Sequence, residues 1–125
     1  MRTASIEING KSHLLCFSLR VMRACADRYG SVKNIFSAMS GENEAKVLDE
    51  TFWILAAMMD GGDRYARLNE IENPKPYSSG ELMDLFDISD LSGLRGKIIE
   101  TVAAGSRPTI EAEPPKNVET TLGES

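Results

Sequence analysis

Apolar and polar positions alternate near the start of the chain. Ile6 and Ile8 flank Glu7, Asn9-Gly10 follows, and a second run extends from Ser12 to Phe17. Asn-Gly between two such runs predicts a β-hairpin over residues 3–17 with a two-residue type I′ turn, whose central positions need positive φ. That register sets Ile8 opposite Lys11, Ile6 opposite His13 and Ala4 opposite Leu15. Cross-strand partners share a face, so Ala4, Ile6, Ile8, His13, Leu15 and Phe17 form the face that packs on the rest of the protein. Ser5, Glu7, Ser12, Leu14 and Cys16 line the other face.

The period then changes to that of helices. Ser18 is placed to cap a helix ending at Tyr29-Gly30, with Met22, Cys25 and Tyr29 on one stripe and Arg20, Arg23 and Asp27 opposite. Ser31 opens a short second helix in which Val32, Ile35, Phe36 and Met39 follow the spacing of one buried face. Gly41 ends it. From Glu42 to about Asp60 nothing breaks a third helix. Ala45, Leu48, Phe52, Leu55 and Met59 make one seam, and Val47, Ile54 and Met58 a second. Between Phe52 and Met59 this helix is apolar on every side, so it is either central in the core or partly covered by another chain. Phe52, Trp53, Leu55, Met58 and Met59 are the candidate partner or self-association surface. Gly61-Gly62 reads as an interruption, with Asp63 opening a short continuation that carries Tyr65, Leu68 and Ile71. Asn73-Pro74-Lys75-Pro76 is a loop. Ser78 with Glu81 forms a capping box ahead of Leu82, Leu85 and Phe86. A last helix, roughly 89–104, aligns Leu91, Leu94, Ile98 and Val102. Gly93 and Gly96 weaken it by about 1 kcal/mol each relative to alanine, unless they permit close packing.

These elements predict an α+β, mainly α fold: an N-terminal hairpin packed on five to six short helices. One domain spans residues 1–105. Residues 106–125, with Pro108, Pro114, Pro115 and four glutamates, read as a flexible acidic tail.

Composition narrows the function. A chain of 125 residues, 42% hydrophobic and 26% charged, holds one modest core and no separate cofactor domain. The apolar run 52–59 is far short of the roughly 20 residues that span a bilayer. The opening residues lack the apolar core of a signal peptide. Both features point to a cytosolic protein away from membranes. The net charge of -5 hides an asymmetry. Residues 1–41 carry six basic groups against two acidic, and residues 42–100 carry six against thirteen. Such a split suits charge-steered association as well as ordinary solvated faces. Arg20, Arg23 and Arg28 form a candidate charged surface. The helical half, with Arg95 and Lys97 against Glu81, Asp84, Asp87, Asp90 and Glu100, has the wrong sign for a reader of nucleic acid.

Chemistry finds few footholds. His13, Cys16 and Cys25 are the soft metal-ligand candidates, one short of a usual structural zinc set. An offset of three on a strand puts His13 and Cys16 on opposite faces, which excludes a zinc half-site and a catalytic dyad alike. Both cysteines read as reduced core residues. No nucleophile elbow or phosphate loop is present. Asp84, Asp87 and Asp90 recur every three residues as helix caps or a solvated edge. No catalytic residue, metal or cofactor is expected. Five methionines beyond Met1 suit an adaptable protein-binding surface or ordinary core filling.

The layout resembles a known family, the tail assembly chaperones of long-tailed, siphovirus-like bacteriophages and prophages. The resemblance is carried by the strand–Asn9-Gly10-Lys11–strand opening and by Phe17-Ser18-Leu19 leading to Tyr29-Gly30-Ser31. It continues through Trp53-Ile54-Leu55-Ala56-Ala57-Met58-Met59-Asp60-Gly61-Gly62, the proline loop, and the Ser78–Glu81 helix with Leu82-Met83-Asp84-Leu85. Ala103-Ala104-Gly105 and the trailing Pro114-Pro115 stretch complete it. It covers nearly the whole chain without an invariant chemical signature. It implies a non-enzymatic protein of the host bacterial cytoplasm, absent from the mature virion. Such a protein binds the tape measure protein and keeps it soluble while tail tube protein polymerises around it, and it can form homo-oligomers. Many relatives of this kind also occur in a longer, frameshifted form. The alternatives are a structural virion protein such as a head–tail connector, or a small protein-binding adaptor.

Overall fold

The computed structural model describes residues 2–106, and the expectation of a flexible tail falls outside them, apart from Ser106. Strands β1 (Thr3–Ile8) and β2 (Lys11–Cys16) pair antiparallel in the expected register, with Ile6 opposite His13 and Ala4 opposite Leu15. Asn9 and Gly10 both take positive φ, as a type I′ turn requires. Ala4, Ile6, Ile8, His13, Leu15 and Phe17 are all buried. Cys16, expected on the outer face, is buried as well.

Helix α1 (Leu19–Tyr29) starts where Ser18 accepts from the Val21 amide and stops at Gly30 in the left-handed region. Val21 and Cys25 form its buried stripe, and Met22 lies outside it, 38% exposed. A 3-10 turn (Val32–Asn34) leads into α2 (Ile35–Ala38). Ile35 and Met39 are core there, but Phe36 is not, because the tight 3-10 winding shifts the expected helical face.

Helix α3 (Glu44–Leu68) is one helix of 25 residues, so Gly61-Gly62 is not an interruption and Asp63 caps nothing. The glycines serve a close approach. A Cβ on Gly61 would sit 2.7 Å from the Cys16 carbonyl oxygen, and one on Gly62 would run into the Leu14 carbonyl. The helix thereby lies almost against the β2 backbone and covers its open edge. Leu14 N–H, on the same edge, donates to Asn73 Oδ1 at 2.9 Å. Helix α3 ends with Glu70 in the left-handed region and Ile71 N–H donating to the Ala66 carbonyl, a Schellman closure. Leu68 and Ile71 are exposed rather than core.

The Ser78–Glu81 capping box opens α4 (Ser79–Leu85), which buries Leu82 and leaves Leu85 exposed. A 3-10 turn (Ile88–Asp90) joins it to α5 (Leu91–Gly105). Helix α3 runs along β2, and α5 along β1. One core joins Ile6, Leu15, Ile54, Leu55, Met58 and Ile98. The architecture is α+β and mainly α, a hairpin on a helical body, although α3 is longer than the short helices expected.

Candidate interaction surface

The all-round apolar segment of α3 is central. Leu55, Met58 and Met59 are fully buried and Phe52 is 3% exposed. Of the two alternatives for this segment, these four residues follow central burial, and Phe52 alone of them reaches a surface groove. The hairpin, α1, α4 and α5 together enclose a helix that has no polar face there. Trp53 is half-buried beneath its neighbours.

Those neighbours explain Arg28, one of three expected surface arginines. Helices α1 and α3 run antiparallel, with Val21 near Gly61 and Arg28 beside Glu50. Glu50 is buried and accepts from Arg28 Nε at 2.7 Å and from the Tyr29 hydroxyl at 2.7 Å. Lys46 Nζ lies 3.6 Å from the same carboxylate. The Arg28 guanidinium lies 4.5 Å from the centre of the Trp53 ring, and Tyr29 meets that ring edge-on. The hydrogen bond from Arg28 holds the Glu50 carboxyl below its ordinary pKa despite burial, and burial raises the Tyr29 phenol. This cluster ties α1 to α3 with every charge answered. Arg20 and Arg23 remain exposed, as expected.

Burial holds both thiols and the imidazole in their neutral forms. Burial raises the Cys16 thiol and pushes Cys25 up to about 11, so both stay protonated at neutral pH. His13 lies against Tyr77, ring centres 5.5 Å apart, and neither ring nitrogen has a hydrogen-bond partner among the described residues. Burial, then the nearby Lys11 charge, lowers its pKa and keeps it neutral. Among the described residues no group of three or more His, Cys, Asp or Glu converges as a metal site would require. No described helix is long and apolar enough to cross a membrane.

An open apolar groove lies elsewhere, between α3, the end of α4 and the start of α5. Two adjoining cavities of about 260 and 330 Å³ share Leu48, Ile88 and Leu91. Phe52, Met83 and Phe86 extend one cavity, and Val47, Glu44 and Arg95 the other. Local chain chemistry builds it. After Leu85 the chain turns extended at Phe86, whose ring settles 6.4 Å from Phe52. Asp87 N–H then donates to Asp90 Oδ2, closing the 3-10 turn that holds Ile88 outward, 87% exposed. The charged lining of the groove is mixed: Asp87 borders one cavity, and Glu44 and Arg95 border the other. Of the five residues expected to meet a partner, only Phe52 lines this groove. Ile88 escaped the sequence reading because it belongs to neither helical face. Its one signal was an apolar side chain between two aspartates in a connector.

No family model, curated protein or solved structure matches the chain.

Proposed function

We propose that this protein is a non-enzymatic tail assembly chaperone of a long-tailed phage or prophage. It binds the tape measure protein and keeps it soluble in the host cytoplasm while the tail tube forms. The carrying observation is the open groove over Leu48, Phe52, Met83, Ile88 and Leu91. An apolar groove between helices takes the apolar face of an amphipathic helix, and a client rich in such helices is the kind that aggregates when uncovered. The methionine at the groove edge adapts to varied apolar side chains. The layout of hairpin, capped helix, long apolar helix, proline loop and boxed helix supports the same reading.

Co-expression with the tape measure protein encoded beside it, followed by pull-down, tests the proposal. The expected result is retention of the tape measure protein by the native chain and its loss with Ile88→Asp, a change at an exposed side chain that leaves the core intact. Failure to retain either the tape measure or a tail tube protein would falsify the chaperone reading.

A further inference from the structure

We infer that, in the absence of a client, the groove takes up the chain's own C-terminal segment, residues 107–125, folded back along α5. The first observation is where the described chain ends. At the helical repeat Leu91, Arg95, Ile99, Val102 and Ser106 fall within about 80° of one another, a single stripe along α5. Leu91 and Arg95 line the groove at one end of the stripe, and Ser106 is the last described residue at the other. Between them Ile99 is 52% exposed and Val102 half-buried, an apolar track that leads from one end to the other. Ser106 lies about 16 Å along the helix axis from Arg95. The stretch from Ser106 to Val118 can extend to about 40 Å, ample for the return.

The second observation is charge, in matching order. Arg95 Nε is buried without a hydrogen-bond partner, and Arg95 takes part in no ion pair among the described residues. Asp87, exposed beside the other cavity, is likewise in none. A segment returning from Ser106 along α5 meets Arg95 first and Asp87 after it. Its own charges come in the complementary order, Glu111 and Glu113 and then Lys116. Pro114-Pro115 between them favours extended backbone, which sets Glu113 and Lys116 about 9 Å apart. Val118 follows, toward the apolar lining of Leu48, Phe52 and Ile88. Leu122 comes at i+4, the spacing of anchors on a helix that fills a groove. A tether that can span its site gives an effective concentration on the order of millimolar, so a contact of modest intrinsic affinity suffices. Docked in this way, residues 107–125 cover Ile88 and Leu91, and a client helix must displace them.

Carbodiimide coupling of the full chain alone is the test, because it joins a lysine to a carboxylate only where the two touch. The chain is supplied as an equal mixture of isotope-labelled and unlabelled protein, and the coupled peptides are read by mass spectrometry. The expected product links Lys116 to Asp87 or Glu44, in peptide pairs that carry one label throughout, as a contact within one chain requires. Arg95→Glu should lower its yield about tenfold, and adding Glu111→Arg and Glu113→Arg to that chain should restore it. Val118→Asp with Leu122→Asp, which leaves every residue of the described core in place, should also lower it about tenfold. Circular dichroism of each variant verifies the fold. Absence of a link from Lys116 to either groove carboxylate overturns the inference. Pairs of mixed label in equal number, or a yield indifferent to Val118→Asp with Leu122→Asp, overturn it as well. Because no client is present, failure here leaves the chaperone proposal standing, and a failed pull-down leaves the docking of residues 107–125 standing.

Discussion

Gly62 is the residue on which the fold depends most visibly. Its missing side chain lets α3 touch the β2 edge, and the obstacle to a Cβ is backbone, which cannot swing aside. Gly62→Ala is expected to destabilise the protein by about 1–3 kcal/mol, the range for forced overpacking, although alanine is the better helix former. Urea unfolding measures it, and unchanged or raised stability would show that the helix can move off the strand. His13 sets a second residue-scale expectation. Its folded pKa lies below the unfolded value of about 6.5. The unfolded chain thus takes up the proton first, and this residue's contribution falls as pH drops below that value towards the folded pKa. His13→Leu fills a similar volume without two unpaired nitrogens and should be neutral or stabilising. Its advantage over the native chain should grow from pH 7 to pH 5.5 in thermal melts. An advantage that stays constant with pH would mean that the imidazole takes up its proton as readily in the folded chain as in the unfolded one.

The elements were largely legible where local chemistry dictates them. Asn9-Gly10, Ser18, Gly30 and the Ser78–Glu81 box act within a few residues, so their positions could be read directly. Gly61-Gly62 misled because glycine signals both a break and a close approach, and only a strand some 45 residues earlier in the chain decides between them. Phe36 and Met22 misled because periodicity identifies an apolar stripe but not whether a neighbour covers it. Helix α5 carries the opposite kind of glycine. A Cβ on Gly93 or Gly96 would meet nothing within 4 Å, so neither permits close packing. Replacing each with alanine should stabilise the protein by about 0.5–1 kcal/mol, from helix propensity and a less flexible unfolded chain. Additive rises in melting temperature are the expected readout. A loss from either change would reveal a contact at that helix face.

At the scale of the whole molecule, the charge asymmetry along the sequence became a spatial one. The basic part places exposed Arg20 and Arg23 on α1, and the acidic part lines a groove across α3 with Glu44 and Asp87 beside Arg95. The candidate surface was only partly legible. The apolar segment Phe52–Met59 was visible, but a sequence cannot say which of its sides other elements will enclose. The groove arises from residues of three helices and a connector, none of which forms a surface alone. Salt separates the forces acting there. If Glu44, Asp87 and Arg95 steer a client into the groove, raising ionic strength should weaken its retention and slow its onset. Retention that strengthens with salt would assign the contact to Leu48, Ile88 and Leu91 instead.

The pairing of β1 with α5 and of β2 with α3 has a consequence for synthesis on the ribosome. The hairpin emerges before the helices that cover it, yet two strands alone are marginally stable in water. Its covering helices follow much later, the α5 cover last of all. Until then the nascent chain carries apolar residues and an unpaired strand edge in the open, the features that recruit folding helpers and invite mispairing. Ribosome-held chains should resist protease only after α5 has cleared the exit tunnel. A protein proposed to shield another from aggregation would then itself pass through an unshielded interval before it could serve.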